Sequence, residues 1–290
     1  MRFLKSVERG ISRIKQHFIL KKLVKGVGLS EVVEKYRSIS NNSGTIGGDS
    51  NIWVMWLQGE ENMPELVKIC YNSIRAHAGS HPVVLLDERN WKDYVSLPSN
   101  IIDKIEKGII DRTHTSDIIR SYLLKEYGGI WVDATILMNG RCFAEFCREE
   151  LRFWSCRGKT ERNNVSRGYW TSYFQAAGKG CIVQSFIYDA HIHYWSRTDT
   201  LAAYLLLDYI FWIGFSSLPQ FREVVMEVPV SLQGELMKKI NTLYTESGFK
   251  KICGEGVNFS KLSYKRPVTL TTAEGGRTMY AFIKEKYLNK

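Results

Sequence analysis

The segment running from His114 to Thr135 limits what this chain can fold into more than any other stretch. Thr115 or Ser116 can cap a helix that runs to about Tyr127, because a hydroxyl there accepts from a first-turn N–H, and Gly128-Gly129 supplies the stop. Ile130-Trp131-Val132 then reads as a short strand that delivers Asp133 at its tip. Asp117 and Arg120 are three residues apart on the helix, so they share a face. A carboxylate, a guanidinium and a second carboxylate therefore converge where the strand ends. That set suits a sugar diphosphate: carboxylates accept from sugar hydroxyls, arginine pairs with phosphate, and a cation neutralises a leaving group.

The flanking sequence repeats the alternation of strand and helix. Ile52-Trp53-Val54-Met55-Trp56 is a β-rich run that breaks at Gln58-Gly59, Pro64 to Ala76 reads as a helix, and Val83 to Leu86 is a second buried strand ending at Asp87. Such alternation predicts an α/β fold with much parallel pairing, in which ligands collect at the carboxyl ends of strands. Trp56 and Asp133 both lie at such ends. Beyond Gly140 the pattern is coarser: mixed strands and helices, an apolar helix near Leu201–Phe215, and a basic C-terminal tail.

Net charge of +10 raises the question of nucleic acid, and its distribution answers it. Residues 1–27 hold eight Lys/Arg against Glu8, a balance of +7, while the remainder carries only +3. Within that segment Leu4, Val7, Ile11, Ile14 and Phe18 draw one apolar stripe along a helix whose other faces are mostly basic. Such a helix can lie on an anionic lipid surface, or it can dock on its own domain and show a solvated basic face. The expectation is a peripheral membrane contact through residues 1–27 and no nucleic acid. Ser38 to Gly44 is the expected hinge, giving a helical segment at 1–45 and one catalytic domain at 46–290. No apolar h-region of a secretory signal is visible between Met1 and Gly28, and the longest apolar run, Leu201–Phe215, is interrupted by Asp208. Six scattered cysteines form no CxxC pair and read as reduced thiols. The expected location is cytoplasmic, on the inner face of the cell membrane.

The His114–Thr135 pattern resembles the donor-site signature of GT-A glycosyltransferases, and it is particularly similar to the capsular-polysaccharide-synthesis and glycosyltransferase-32-like group. The segments Ile52-Trp-Val-Met-Trp-Leu-Gln-Gly59, Trp170-Thr-Ser-Tyr-Phe-Gln-Ala-Ala177 and Ser260-Lys-Leu-Ser-Tyr-Lys265 resemble that group in the same order, so the likeness covers roughly residues 50–265. It implies a Rossmann-like nucleotide-sugar-binding core of the GT-A type and transfer of a hexose from a nucleotide-sugar, expected to be a UDP-sugar. The implied acceptor is a lipid-linked saccharide in capsule or surface-polysaccharide assembly, and the implied stereochemistry is retention.

Carried over by position, the resemblance makes Trp56 a stacking platform for the base and gives Asp117 and Arg120 the donor sugar and phosphate. Asp133 would bind Mn²⁺ or Mg²⁺, joined by Thr135 and Ser260, and Ser260, Lys261 and Lys265 would close over the phosphates. The sequence departs from a DXD motif in reading Asp133-Ala134-Thr135, which replaces the second carboxylate by a hydroxyl, a weaker ligand. Many relatives also carry a histidine in the place of Ser260. Asp208, an ionisable group in an apolar helix, is a catalytic candidate facing the reacting sugar or else a hydrogen-bonded core residue. His191 and His193 form an HxH pair that suits a strand and lacks a third ligand, so the Tyr188–Trp195 cluster reads as acceptor-site wall or core. Two other classes stay open: a binding protein that kept the fold and lost turnover, and a membrane-surface module whose basic segment is its function.

Overall fold

The computed structural model describes residues 13–40, 43–139, 143, 151–158, 164–253 and 257–288. Its larger sheet orders five strands as β2 (Val83–Leu86), β1 (Ile52–Met55), β3 (Gly129–Val132), β6 (Phe174–Ala177) and β5 (Phe153–Ser155). β1 runs parallel to β2 and β3, with Ile52 opposite both Val83 and Ile130, whereas β6 pairs antiparallel with β3 and β5. The fold is α/β with a mixed sheet, as expected. Every residue of β1 and β3 is buried, which is why both segments read as continuous apolar runs rather than alternating ones.

The helix before β3 spans Arg112–Glu126, and its cap differs from expectation. Asp111 is the capping residue, its Oδ1 accepting from the His114 N–H at 2.9 Å, while Thr115 lies inside and turns its hydroxyl to the Asp111 carbonyl. A carboxylate at that position also complements the positive helix end. The double glycine does more than stop the helix. Gly129 has φ +100, and a Cβ there would sit 2.4 Å from the Asn51 carbonyl oxygen, so β3 can approach the entry of β1 only without a side chain.

A second sheet orders β4 (Ile136–Met138), β8 (Val257–Lys261) and β7 (Leu232–Gly234). β4 begins one turn after β3, and Ile136 lies opposite Lys261. This antiparallel register carries Lys261, from far along the chain, to the tip of β3. Leu66, Ile69, Leu137, Leu236, Ile283 and Tyr287 form a separate small core beneath this sheet. The C-terminal segment is thus a docked helix, Met279–Leu288, rather than a basic tail. The Tyr287 hydroxyl donates to the Met138 carbonyl at 3.1 Å.

Near the N-terminus, residues 13–21 are helical and continue through a π-helical turn, Lys22–Gly26, into the helix Leu29–Tyr36. Leu23, Leu29, Val32, Val33 and Tyr36 are buried in the main core, so this part of the 1–45 segment is continuous with the body. Asp189 fastens it, accepting from Lys35 at 2.6 Å and from the Tyr36 hydroxyl at 2.9 Å. Leu4, Val7 and Ile11 of the apolar stripe lie outside the described residues. Ile14 and Phe18 do not dock and are 60% and 64% exposed. The HxH pair lies on a helix, Ile182–Arg197, not a strand, and His191 is fully buried. Cys70, Cys156, Cys181 and Cys253 are buried free thiols; Cys142 and Cys147 lie outside the described residues. No helix among the described residues is long and apolar enough to cross a membrane.

Candidate active site

Asp133 leaves β3 with its backbone N–H donating to the Tyr173 carbonyl at 2.9 Å, which ties the strand tip to the segment entering β6. Its Oδ1 accepts from Trp131 Nε1 at 2.9 Å and lies 3.5 Å from Arg120 Nη2. Its Oδ2 accepts from Lys261 Nζ at 2.6 Å. Burial alone would raise this carboxyl's pKa, but Lys261 and Arg120 outweigh burial and hold it below the usual carboxylate range.

Arg120 and Asp117 share the helix face that the spacing implied, with Nη1 3.2 Å from Asp117 Oδ1. Arg120 is buried and its guanidinium lies 4.9 Å from the Trp131 ring centre. Its Nε nonetheless lacks a hydrogen-bond partner, and its Nη1 makes no aligned hydrogen bond beyond the ion pair with Asp117, an unusual state for a buried cation. Asp117 goes the other way from Asp133: burial pushes it up to about 6, with Arg120 and His114 opposing and Asp133 and Asp208 adding repulsion. His191, packed behind, is held neutral, burial lowering it to about 3 with the charges of His114 and Arg120 adding to the shift.

Beside this cluster opens a cavity of about 1050 Å³, lined among others by Trp170, Tyr173, Asp208, Gln233, Lys261 and Arg266. Lys261 is the member shared by cluster and cavity. Asp208 sits in the first turn of the helix Leu206–Ser217, half-buried rather than sunk in apolar surroundings, and accepts from Trp170 Nε1 at 2.8 Å. Burial raises its pKa against that hydrogen bond and Arg120. Trp170 in turn stacks on Phe211 with ring centres 4.1 Å apart. Tyr173 donates its hydroxyl to Gln233 Oε1 across the cavity mouth.

The structure places the remaining expected site residues as follows. Trp56 follows β1, half-buried, with its indole N–H unpartnered and its ring edge-on to Tyr264 at 5.6 Å. Thr135 stands in the turn between β3 and β4, where its carbonyl accepts from the Leu262 N–H. Lys265 is exposed and outside the cavity lining, where the next residue, Arg266, appears instead. Ser260 is a correction. It is 0% exposed, accepts from Asn139 Nδ2 at 3.3 Å and faces Cys253, because alternation along β8 turns it inward when Lys261 turns outward. It is absent from the cavity lining, whereas Lys261 is part of it.

The expected divalent cation does not fit this donor set. Both oxygens of Asp133 are engaged, one by an ammonium, and a cation within bonding reach of Oδ2 would have to displace it. Among the described residues no three His, Cys, Asp or Glu side chains cluster as ligands.

Residues 3–283 match the family described as capsular polysaccharide synthesis protein. The chain belongs to this family. A relative, the O-glycosyltransferase braB of Annulohypoxylon truncatum, is 33% identical over 98 residues, 31% of this chain and 23% of that one. The match thus spans less than a quarter of that relative's length. Among solved structures, the PaToxG glycosyltransferase aligns with a TM-score of 0.44 and 14% identity, covering 88% of this chain and 95% of its own. The apo form of mouse xyloside xylosyltransferase 1 aligns with a TM-score of 0.42 and 12% identity, covering 76% of this chain and 99% of its own. Likenesses this distant assign no residue a role.

Sequence reasoning missed Trp131 as a donor to Asp133, and it missed Gln233 and Arg266 on the cavity wall. Arg266 could have been found as the next member of the basic run at Lys261 and Lys265. Gln233 could not, since β7 is a strand of three residues with no periodic signal of its own.

Proposed function

We propose that this chain is a glycosyltransferase that moves a hexose from a nucleotide-sugar, in our reading a UDP-sugar, to a hydroxyl of a lipid-linked saccharide in capsule or surface-polysaccharide assembly. The observation that carries the reading is the pair of cations, Arg120 and Lys261, held against Asp133 at the tip of β3, at the edge of a cavity large enough for a sugar nucleotide. The diphosphate would be met by Lys261, which lines the cavity, with Arg120 as a buried positive charge behind it. Asp117 and Asp133 would accept from sugar hydroxyls, and Trp56 with Tyr264 would flank the base. Asp208, braced by Trp170, faces the part of the cavity left for the acceptor.

In transfer, the bond between the anomeric carbon and the diphosphate oxygen breaks, with its electron pair leaving on oxygen. The acceptor oxygen bonds to the same carbon, and its proton passes to the departing diphosphate. Stabilising that departing charge with fixed cations is the main catalytic contribution expected here. Retention by attack from the leaving-group side is our reading of the stereochemistry, and it rests on the resemblance to retaining glycosyltransferases. The exposed Ile14 and Phe18 on a basic helix support attachment to an anionic membrane, where a lipid-linked acceptor resides.

A thermal-shift and calorimetry screen against UDP, GDP, CDP and their sugars tests the donor reading. A nucleotide present at about a hundred times its Kd should stabilise the chain by about 2.7 kcal/mol, a Tm rise of several degrees. The rise should vanish in Arg120→Met. Silence toward every nucleotide would remove the donor site from the proposal.

A further inference from the structure

We propose that the Lys261 ammonium, with the Arg120 guanidinium, stands where a divalent cation would otherwise bridge Asp133 and the donor diphosphate, so that donor binding and transfer need no divalent cation. The inference rests on the donor-site reading above and deepens it.

Three observations carry it. Lys261 is anchored rather than wandering: the register of β8 on β4 sets it at the β3 tip, its Nζ lies 2.6 Å from Asp133 Oδ2, and it lies 5.0 Å from the Tyr173 ring centre. It is 29% exposed and lines the cavity, so one side of the ammonium grips the carboxylate while the other remains open to a phosphate. Arg120 adds a buried second charge on the opposite carboxylate oxygen, with its Nε unpartnered and its Nη1 ion-paired to Asp117. A dication placed on Asp133 would either expel Lys261 or sit beside two positive groups in a partly buried site, where repulsion is poorly screened. Thr135, in the place of a second carboxylate, offers no charge to offset that repulsion. Lys261 stays protonated throughout the transfer; the leaving oxygen takes its proton from the acceptor hydroxyl.

The test is calorimetry of the full chain with UDP, GDP and CDP, each in EDTA and in Mn²⁺. One of them should bind in EDTA with an affinity within about threefold of that in Mn²⁺, a difference well below one power of ten. Lys261→Met should weaken binding in EDTA by about tenfold or more, the loss of one charge-assisted contact. Mn²⁺ should then restore part of it, because Asp133 has been vacated. Lys261→Arg should keep metal-free binding, and melting curves of both variants report on folding. Wild-type binding seen only with Mn²⁺, or Lys261→Met binding normally in EDTA, overturns the inference and leaves the donor site standing. Binding of none of the three in either buffer overturns both.

Discussion

Replacing Asp117 by asparagine should make this chain more stable at neutral pH while disabling its site. Burial lifts this carboxyl from 3.8 to about 6. At about 1.4 kcal/mol per pH unit of displacement, the folded chain holds that proton tighter than the unfolded chain by about 3 kcal/mol. Below the ordinary aspartate value both states are protonated and nothing is lost. As pH rises through the interval from about 4 to about 6, the unfolded chain releases its proton first and stability falls; above about 7 the full loss is in place. Asparagine matches the shape of the protonated acid and cannot ionise. The attraction of Arg120, 3.2 Å away, is already contained in the displaced value, so its loss adds no separate term. Urea denaturation of wild type and Asp117→Asn at several pH values is the assay. The two should nearly coincide near about pH 3, differ by about 1 kcal/mol near about pH 4.5, and diverge to about 3 kcal/mol in favour of the variant near about pH 8. Affinity for the donor should fall at the same time, a trade familiar from sites that hold charge in poorly solvated positions. A variant less stable than wild type near neutrality, or a gap that ignores pH, would refute the reasoning.

Trp170→Phe keeps the stack on Phe211 and removes the N–H that reaches Asp208 at 2.8 Å, so denaturation should show a loss of about 1–3 kcal/mol, growing with pH as the carboxylate ionises. Gly129→Ala places a Cβ 2.4 Å from the Asn51 carbonyl at φ +100, and a cost of about 3 kcal/mol or more should appear as a lowered Tm or insoluble protein. Phe18→Glu, at a position 64% exposed, should leave stability within about 0.5 kcal/mol and reduce cosedimentation with vesicles rich in phosphatidylserine.

The parts of the fold legible in the sequence are those whose local pattern and tertiary role agree. β1 and β3 are fully buried and read as unbroken apolar runs, and the helix Glu65–Ala76 begins beside Pro64 where its start was expected. Gly128-Gly129 was legible as a stop but not as the close contact with Asn51, because that contact joins strands far apart in sequence. The HxH pair misled for a related reason. Spacing by two favours a strand when one face is buried, yet the helix Ile182–Arg197 is packed on several sides, so His191 enters the core wherever the period places it. The docking of the C-terminal helix was hidden by its lysines, which stay at the surface while Ile283 and Tyr287 go inward.

In the site, the sequence pattern foretold the sharing of a face by Asp117 and Arg120, but not how the charges balance. Read as letters, Asp133-Ala134-Thr135 is a motif with one carboxylate missing. In space Ala134 is buried, Thr135 sits in the turn, and the lone carboxylate is flanked by an ammonium and a guanidinium. With a second ionised carboxylate at the tip of β3 the cluster would carry a net negative charge near neutral pH and would need an added cation before a diphosphate could approach. With one, Arg120 and Lys261 balance Asp133 and Asp117, which burial lifts only to about 6 and which is therefore ionised above neutrality. Lys261 is the member of that balanced set that lines the cavity, where the diphosphate would lie. On the proposal made above, the absent carboxylate and the inward turn of Ser260 belong to one arrangement, in which side chains fixed by β8 and by the helix Arg112–Glu126 would supply the charge that a bound ion would otherwise bring.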